Sequence, residues 1–477
     1  MSSYTISKKL NPNKVFILQK SELEKRFDPQ YYKKEYKNIV NKLKENKHNK
    51  LGNIVKFSKE TWNQKDFFNN TFPYIEISEI DTLSGEIQNI SNIEINDAAS
   101  RAKMIVREND IIVSTTRPNR GAIALINKEQ DFSIASTGFC VIRDSEIDKD
   151  YLFAILKQNF ILKQFEQRSS GGNYPAITQE ELSNVIIPIA ENDNKIKIKS
   201  IFQNCFKQKK NNEEKAEKLL ASIDDYLLNE LSITLPQKQE NTLKNRMFKT
   251  SISELSGSRF DPFYHQGYFN KVELSIKNSN CKIEKLGSLL SFIESGSRPK
   301  GGATKEKSTD SVLSLGGEHV NNFCEIQIKT AKYIPKEYHQ NILNTETKIN
   351  DILFVKDGAT TGKLGMINNV KYAKQNINEH VFLLRPTLLL NSHYLLNIIN
   401  FSASQIIIKK LIAGATVTGI TKDALKSLPI PVPPIEKQNE IAEHISAIRK
   451  QAKELKNQNK ILMQKANEEI ENLILNT

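Results

Sequence analysis

The segment from Asp357 to Leu364 has two glycines and a lysine in an order that resembles a phosphate-binding loop. Such a loop holds phosphate groups in a cradle of backbone N–H groups, and it needs four residues between its glycines and Ser or Thr after its lysine. Here three residues separate Gly358 from Gly362, and Leu364 follows Lys363. The segment therefore does not predict a nucleotide site.

Glu346-Thr347-Lys348, followed by Asp351, has the residue types of a metal-dependent nuclease. The first half of the chain, which otherwise repeats in the second half, has no equivalent group, and this argues against a nuclease. The sequence also contains no HExxH, no GxSxG, no GxGxxG after a strand, and no Asn-Pro-Pro or Asp-Pro-Pro tetrapeptide of an amino-methyltransferase. We therefore expect the chain not to be an enzyme by itself.

The compartment is predicted from the cysteines and from the distribution of apolar residues. Cys140, Cys205, Cys281 and Cys324 are far apart and lack zinc-site spacing, which favours reduced thiols. The first ten residues lack the apolar core of a signal peptide, and no run approaches the ~18 consecutive apolar residues of a membrane span. We expect a cytoplasmic protein with no membrane partner.

Positive charge is concentrated in one part of the chain. The 477 residues carry a net charge of +13. Residues 232–433 hold 26 basic and 16 acidic residues, a net +10, whereas residues 1–194 hold 27 and 26, a net +1. Such an asymmetry indicates a polyanionic partner, although lysines that merely solvate the surface would produce the same count.

The two halves of the chain match each other in order. Arg26-Phe27-Asp28-Pro29 recurs as Arg259-Phe260-Asp261-Pro262, an offset of 233 residues. Asn109-Asp110-Ile111 matches Asn350-Asp351-Ile352 at 241, and Ile177-Thr178 matches Ile420-Thr421 at 243. Offsets that only grow are expected from loop insertions between two copies of one fold. The sequence therefore predicts a duplicated unit.

Each repeat predicts the same mixture of helices and strands. Asp followed by Pro is typical of a helix N-terminus, so helices are predicted from Pro29 to Asn46 and from Pro262 to Ile276. Thr178 and Thr421 are predicted to cap short helices. β-Branched and aromatic runs predict the strands, which are Tyr74–Ile77, Asp110–Ser114, Phe139–Ile142 and Ile186–Ile189 in the first repeat and Asp351–Val355, Val381–Leu384 and Pro429–Val432 in the second.

A long amphipathic stretch follows each repeat, about Lys195 to Leu231 and about Glu436 to Leu475. Apolar residues recur there at alternating spacings of four and three, the pattern of a coiled coil. Either each helix packs on its own repeat, or the two pair antiparallel with a repeat at each end, in which case Asn212 and Asn459 on the seams would set the register. The first repeat, the central helix with its linker, the second repeat and the C-terminal helix are placed at residues 1–190, 191–235, 236–433 and 434–477.

The end of the second repeat carries the most specific resemblance to a known family. It consists of Gly414 to Thr421, the proline-rich Leu428–Pro434, and Glu436-Lys437-Gln438 before the last helix. Together with the duplicated Arg-Phe-Asp-Pro segments, the ordered set resembles the specificity subunit of Type I restriction-modification enzymes over essentially the whole chain. The first repeat departs from it at Gly171–Pro175 and Pro188–Asn192, so its joint to the central helix is expected to differ.

The resemblance implies an α+β fold with two duplicated globular target recognition domains separated by two long helices that form an antiparallel coiled coil. It implies a non-catalytic subunit that reads a bipartite asymmetric site in double-stranded DNA. Two methyltransferase subunits, which use S-adenosylmethionine, and restriction subunits, which use ATP, would dock on it, and this chain itself would bind no cofactor or metal. Two alternatives stay open: the specificity partner of another restriction-modification type, and a stand-alone DNA-binding or scaffolding protein.

The candidate DNA contacts are loop residues that can donate to phosphates or base edges, with Arg and Lys suited to guanine and Asn to adenine. In the first repeat they are Trp62, Asn63, Lys65, Arg117, Asn119, Arg120, Asn173 and Tyr174. In the second repeat they are Ser297, Arg298, Lys300, Lys356, Thr360, Thr361, Lys363, Thr416 and Thr418.

Overall fold

The computed structural model describes residues 11, 14–23, 26–63, 68–237, 242, 247–249, 251–255, 259–414 and 418–475. The chain divides into two compact units, one made of Met1–Glu213 with Lys456–Thr477 and the other of Glu214–Leu455. Each unit therefore contains one repeat and a part of both long helices. Within the described ranges, no helix is long and apolar enough to span a membrane.

Two four-stranded sheets and one strand pair form the first unit. Its strands are β1 (His48–Lys50), β2 (Val55–Phe57), β3 (Thr71–Ile75), β4 (Ser91–Glu94), β5 (Ala102–Ile105), β6 (Ile111–Ser114), β7 (Ile123–Leu125), β8 (Ile134–Ser136), β9 (Phe139–Ser145) and β10 (Ile186–Pro188). One sheet is antiparallel in the order β2-β9-β6-β7, and β1 pairs antiparallel with β10. The other has the order β4-β3-β8-β5, with β3 and β8 parallel.

The second unit repeats this plan. Its strands are β11 (Lys282–Lys285), β12 (Leu290–Ser295), β13 (Ser311–Leu315), β14 (Tyr333–Pro335), β15 (Ile352–Val355), β16 (Leu364–Met366), β17 (Asn376–Ile377), β18 (Val381–Pro386) and β19 (Pro429–Val432). The antiparallel sheet β12-β18-β15-β16 and the antiparallel pair β11-β19 match those of the first unit. A three-stranded sheet, β14-β13-β17, takes the place of the mixed sheet, and β13 and β17 are again parallel.

Each unit also contains several α-helices. In the first unit they are Lys34–Glu45, Leu51–Ile54, Lys149–Leu156, Asn159–Arg168 and Gln179–Ser183. In the second unit they are Ile252–Leu255, Gly267–Lys277, Leu286–Leu289, Lys336–Gln340, Ser392–Asn400, Ser402–Leu411 and Lys422–Lys426. As predicted, Thr178 and Thr421 cap the short helices that follow them, accepting from the backbone N–H groups of Glu181 and Ala424 at 3.2 Å.

Equivalent hydrogen bonds confirm the duplication. The hydroxyl of Tyr151 donates to the carbonyl of Pro188 at 2.9 Å, and that of Tyr394 donates to the carbonyl of Pro431 at 2.7 Å. A further matched pair is ionic, because the Arg143 guanidinium binds buried Asp110 at 2.8 Å and Arg385 binds buried Asp351 at 2.7 Å. Each of these contacts recurs between equivalent positions of the two units, so the two units share one framework.

The helices predicted at the Arg-Phe-Asp-Pro segments begin later than expected. Residues Pro29–Tyr32 form a 3-10 turn, and the α-helix starts at Lys34. The Asp28 carboxylate does not cap it, because both of its oxygens accept from Arg26, at 2.8 and 3.1 Å. In the second unit the helix starts at Gly267, and Asp261 accepts from Arg259 at 2.7 Å. In the second unit Asp261 also accepts from the backbone N–H of Tyr264 at 3.0 Å, but only a turn forms there. The prediction of an immediate helix was wrong in both units, and in the first unit the aspartate binds the arginine before it instead of capping a helix.

The long helices extend over Asn192–Glu230 and Ile435–Leu475, close to the predicted ranges, and are called the central helix and the C-terminal helix below. In the first unit, the start of the central helix packs against the end of the C-terminal helix, with the sulfurs of Cys205 and Met463 3.3 Å apart. The side-chain N–H of Asn212 donates to the Asn459 carbonyl oxygen at 2.9 Å. The pairing in this unit is therefore antiparallel, and the two predicted polar seam residues meet.

In the second unit, the end of the central helix packs against the start of the C-terminal helix. Tyr226 stacks on His444 with ring centroids 4.1 Å apart, and Lys437 pairs with Glu230 at 2.5 Å. This pairing is antiparallel as well, and the predicted fold class is confirmed. Each helix also packs on its own repeat, as Phe202 does against Phe153 at 5.5 Å between ring centroids. Both predicted arrangements of the helices are therefore present together.

Candidate nucleic-acid interface

Backbone hydrogen bonds join two distant loops of the first unit into one surface. The loop after β6 contains Thr115 to Gly121, and the second loop follows helix Asn159–Arg168. The N–H of Arg117 donates to the carbonyl of Pro175 at 2.7 Å, and the N–H of Ile177 donates to the carbonyl of Thr115 at 2.9 Å. The structure therefore brings together candidates from two separate parts of the sequence.

Arg117 and Tyr174 form the centre of this first surface. The Arg117 guanidinium lies over the Tyr174 ring, 4.3 Å from its centroid, and donates to the carbonyl of Asn173 at 3.0 Å. The Tyr174 side chain is 71% exposed. Arg117 has a φ of +49°, a left-handed conformation that costs a non-glycine residue on the order of 1 kcal/mol. The loop thus holds a cation and an aromatic ring together at the protein surface.

Asn119 and Arg120 lie beside this pair on the 3-10 turn Pro118–Arg120, and both are exposed. Five of the eight candidates in the first repeat, Arg117, Asn119, Arg120, Asn173 and Tyr174, therefore share one surface. Asn63 is exposed before a stretch that the structure does not describe, and Lys65 lies outside the described residues.

Trp62 is a core residue, and the prediction that it contacts DNA was wrong. Its side chain is 7% exposed, and its indole N–H donates to the carbonyl of Ala102 at 2.7 Å. The ring packs against Phe72 with centroids 4.6 Å apart. A buried tryptophan whose N–H has a partner has no free donor for a nucleic acid. The nearby Phe68 and Phe72 were the sequence signal for this aromatic cluster.

Three loops meet in the second unit, and a chain of ion pairs links them. Arg298 pairs with Glu379 at 2.5 Å, and His380 lies 3.3 Å from Glu379 and 2.6 Å from Asp357. The backbone N–H of Gly358 then donates to the carbonyl of Thr418 at 3.0 Å. The three groups of candidates in the second repeat therefore lie on one continuous surface. Sequence reasoning missed its acidic members, which come directly before β18 and after β15.

The four candidate cations of this second surface differ in their exposure and in the contacts that they already make within the protein. Lys300 is exposed, whereas half-buried Lys356 lies over the Phe382 ring, 5.4 Å from its centroid. Lys363 is half-buried, with its ammonium 3.4 Å from the carbonyl of Val320. The remaining cation, Arg298, is already paired with Glu379.

The candidates of the second surface that carry a hydroxyl group also differ in their exposure and in their existing hydrogen bonds. The Tyr338 hydroxyl donates to the Ser297 hydroxyl oxygen at 3.1 Å, and the Thr361 hydroxyl donates to the carbonyl of Gly358 at 2.7 Å. Thr360 and Thr418 are exposed, and Thr416 lies outside the described residues. Lys300, Thr360 and Thr418 are consequently the candidates most accessible to a ligand.

The Arg-Phe-Asp-Pro segments support both surfaces, a role that sequence reasoning missed. The Arg26 guanidinium donates to the carbonyls of Arg168 and Ser169, at 2.7 and 3.1 Å, where the helix ends and the loop to Tyr174 begins. Its hydrogen bond with Asp28 is the main cause that raises the pKa of Arg26, so the guanidinium stays charged. Arg259 donates to the carbonyl of Leu411 at 3.0 Å in the same position of the second unit. Each segment thus fixes the base of a candidate loop.

Acidic and sulfur side chains form no metal site in the ranges that the structure describes, where no group of three or more His, Cys, Asp or Glu residues is placed to hold an ion. The four cysteines are free thiols, and Cys140, Cys205 and Cys324 are buried. Burial raises the pKa of Cys140 to about 11, so this thiol stays protonated. The surfaces described above offer hydrogen-bond donors and positive charge, and this is the chemistry of binding to phosphates and base edges.

Comparisons with known proteins match this duplicated architecture. The family model described as Type I restriction modification DNA specificity domain matches residues 43–221 and 278–464, one match per repeat. The specificity subunit of the Type I restriction enzyme MjaVIII from Methanocaldococcus jannaschii is 22% identical over 414 residues, which cover 85% of each chain. The specificity subunit of the HindI enzyme from Haemophilus influenzae is 27% identical over 144 residues, 29% of this chain and 28% of that subunit. A solved chain from a type I R-M system covers 90% of this chain and 96% of its own, at 20% identity and a TM-score of 0.46.

Proposed function

The chain belongs to the Type I restriction modification DNA specificity family, and from this membership we propose that its two repeats each read one half of a bipartite, asymmetric site in double-stranded DNA. The chain is a DNA specificity subunit of a restriction-modification complex and not the catalyst of that complex. Methylation and cleavage are the work of other subunits, so the residues of this chain bind and orient the DNA.

One observation carries the proposal: both units present a surface of donor-bearing loops on the same framework. In the first unit the N–H of Ile177 donates to Thr115, and in the second the N–H of Ile420 donates to Lys356, at 2.9 and 2.8 Å. Between these equivalent anchors the loops share only one glycine each, Gly121 with Gly362 and Gly171 with Gly414, and differ at their other positions. A constant framework with different loops is what two recognition domains for two different half-sites need.

We assign the reading to the accessible candidates of each repeat. In the first repeat these are Asn63, Arg117, Asn119, Arg120, Asn173 and Tyr174, with Lys65 retained from the sequence. In the second repeat they are Lys300, Thr360 and Thr418, with Ser297, Arg298, Lys356, Thr361 and Lys363 as supporting members and Thr416 retained from the sequence. Phosphate contacts by the lysines would supply affinity, and the Arg and Asn side chains would supply the sequence preference.

The assembly is proposed from the family. The target recognition domains are placed at residues 1–190 and 236–433, and the long helices at 191–235 and 434–477 provide the docking surface. The chain assembles with methyltransferase and restriction subunits, and we propose two methyltransferase subunits because the unit is duplicated. S-adenosylmethionine and ATP would bind to those partners, and the complex would work in the cytoplasm.

Exchange of one recognition domain tests the proposal. Residues 20–190 are replaced by the matching part of a relative, and the chimera is expressed with the methyltransferase encoded beside it. Methylation mapping of the host DNA should show one altered half-site and one unchanged half-site. A change in both half-sites, or in neither, would contradict the assignment of one half-site to each repeat.

A further inference from the structure

A cavity of about 280 Å³ lies in the second unit, between the C-terminal helix and the helix Ser392–Asn400. Its apolar walls include Leu396, Ala442 and Met366. Arg449, Lys450 and Lys453 contribute positive charge to its rim, and Glu325 contributes the acidic group. Lys453 pairs with this glutamate at 2.8 Å. The rim therefore keeps an excess of positive charge.

Two side chains in this cavity lack partners that their chemistry requires. Asn397 is 3% exposed, and its side-chain carbonyl oxygen accepts no hydrogen bond. A buried acceptor left without a donor costs about 1–3 kcal/mol. Half-buried Arg449 forms no ion pair or hydrogen bond with any residue that the structure describes. His393 also lines this cavity, and desolvation, followed by the positive charge of Arg449, lowers its pKa.

The first unit is closed at the equivalent place. At the offset of 243 residues that relates Tyr151 to Tyr394, Phe206 corresponds to Arg449 and Ala154 corresponds to Asn397. Phe206 packs against Phe202 and Phe153, with ring centroids 4.6 and 6.5 Å apart. An apolar cluster therefore fills the position where the second unit has an open cavity with an unpaired cation and an unpaired acceptor.

The two units also differ at the position of His393. Asp150 corresponds to His393, and within the first unit it accepts from Gln203 at 3.0 Å and lies 3.8 Å from Lys199. Asp150 thus has partners inside the chain. The framework can be packed shut without loss of the fold, so the opening in the second unit is not a requirement of the architecture.

We propose that this cavity binds a carboxylate that carries an N–H donor close by, which is the chemistry of an acidic amino acid, either free or within a polypeptide. The carboxylate pairs with Arg449, and the N–H donates to the side-chain oxygen of Asn397. Arginine presents a planar fork of donors that matches a carboxylate, and this explains an arginine rather than a third lysine at this cavity. Because Phe206 and Ala154 stand in the first unit where Arg449 and Asn397 stand in the second, one ligand binds per chain.

Calorimetric titration of the full chain with two probes tests this site. L-Glutamate represents the free amino acid, and N-acetyl-L-glutamate amide represents an acidic residue within a polypeptide. Saturable binding at one site per chain is expected for at least one probe. Binding of L-glutamate alone assigns the site to a free amino acid, and binding of the blocked probe alone assigns it to a polypeptide. If neither probe binds, the proposal is overturned.

Three variants connect the binding to the cavity. Arg449→Gln should weaken the bound probe by about tenfold or more, because it removes a charge-assisted contact. Lys271→Gln removes the same charge from an exposed residue of the second unit that does not line the cavity, and it should change the affinity by less than about threefold. Asn397→Ala with Arg449→Phe copies the closed first unit and should abolish binding. Equal affinity of Arg449→Gln and the unchanged chain would overturn the proposal, and DNA binding of each variant, which should persist, reports on its fold.

Discussion

Contacts within the protein restrict the conformation of Arg117 before any ligand binds. Its backbone is held in a left-handed conformation, its guanidinium is stacked on Tyr174, and one of its N–H groups is bound to the Asn173 carbonyl. A stacked guanidinium has lost part of its rotamer freedom already, so less entropy is lost on binding. Exposed Asn119 and Arg120 follow it on the same loop.

The first prediction concerns this pair. Arg117→Ala should weaken binding to the cognate duplex by about 1–3 kcal/mol, because a charged contact to the DNA is lost. Tyr174→Ala should weaken it less and Tyr174→Phe hardly at all, since the ring and not the hydroxyl supports the guanidinium. Fluorescence anisotropy over a range of salt concentrations measures both affinity and salt slope. An Arg117→Ala variant with the affinity of the unchanged chain would remove this residue from the interface.

The burial of Lys157 in the first unit should make the stability of the protein depend on pH. It is 5% exposed, and its ammonium donates to the carbonyls of Thr82 and Gly121, at 2.7 and 2.8 Å. Burial lowers the pKa of Lys157 to about 7, partly offset by Asp81. The unfolded chain keeps the ordinary lysine pKa of about 10.4, so it binds more protons than the folded chain between these two values. Stability from this residue therefore rises with pH across that window.

Comparison with Lys157→Met isolates this effect. The difference in unfolding free energy between the unchanged chain and the variant should grow in favour of lysine from pH 7 to pH 9, by at most about 1.4 kcal/mol per pH unit. Urea unfolding at several pH values, followed by circular dichroism, measures it. A difference that stays constant with pH would show that Lys157 titrates as it does in water.

For some candidate residues, the sequence alone did not show whether the side chain is available to contact DNA. Trp62 has donors and a loop position in the sequence, but its burial depends on Ala102 and Phe72, which approach it through tertiary pairing. The sequence suggests that Arg298 is a free cation, but in the folded chain Glu379 lies beside it and pairs with it. Residue type predicted which hydrogen bonds each side chain can donate. Whether those donors are free to contact DNA depends on neighbours that are distant in the sequence.

At the scale of elements, periodic patterns were the most informative. The alternating seam predicted both long helices to within a few residues, because a helix of this length repeats its apolar signal many times. The mixed sheet of the first unit was missed apart from β3, since β4, β5 and β8 are short and their pairing is non-local. The late helix start at Lys34 was missed because Asp28 had an ion-pair partner, which spacing alone does not show.

The third prediction concerns the polar contact between the long helices. The Asn459 side chain is 4% exposed, accepts from Asn212 at 2.9 Å and donates to the carbonyl of Lys209 at 3.3 Å. Asn459→Leu alone should destabilise the chain by about 1–3 kcal/mol, because the Asn212 amide and the Lys209 carbonyl lose their partner. Asn212→Leu with Asn459→Leu should recover much of that loss, since two apolar residues then meet on the seam.

A double-mutant cycle of thermal unfolding separates these contributions. The coupling between the two substitutions should be favourable, and methylation by the complex should report whether the register of the helices is kept. If the two single variants and the double variant add without coupling, the Asn212–Asn459 contact contributes no interaction energy of its own.

At the scale of the whole molecule, the sequence predicted the duplication but not the composition of the compact units. The C-terminal helix was assigned to a segment of its own, yet residues 456–477 belong to the first unit and residues 435–455 to the second. Asn467 in the last turns accepts from Gln158 at 3.2 Å, a contact across 309 positions of the chain. Such a pairing joins the end of the chain to its first repeat, and local patterns carry no information about it.

The fourth prediction follows from the same division. The central and C-terminal helices both contribute residues to both units, with the divisions after Glu213 and after Leu455. Heptads inserted at both points keep the apolar seam in phase and lengthen the chain path between the two recognition domains. Three heptads add ~32 Å at ~1.5 Å per residue, close to the ~34 Å of one DNA turn. The half-sites should keep their sequences and gain an unread spacer of about nine or ten base pairs.

A single heptad provides the matched control. It adds ~10 Å, about three base pairs, over which the duplex turns by roughly 100°, so the two half-sites would no longer face the same side. The single-heptad chain should therefore methylate its lengthened site far less than the three-heptad chain methylates its own. Methylation mapping with both chains decides the outcome. A three-heptad chain that is active on the original spacer would show that the length of the paired helices does not set the distance between half-sites.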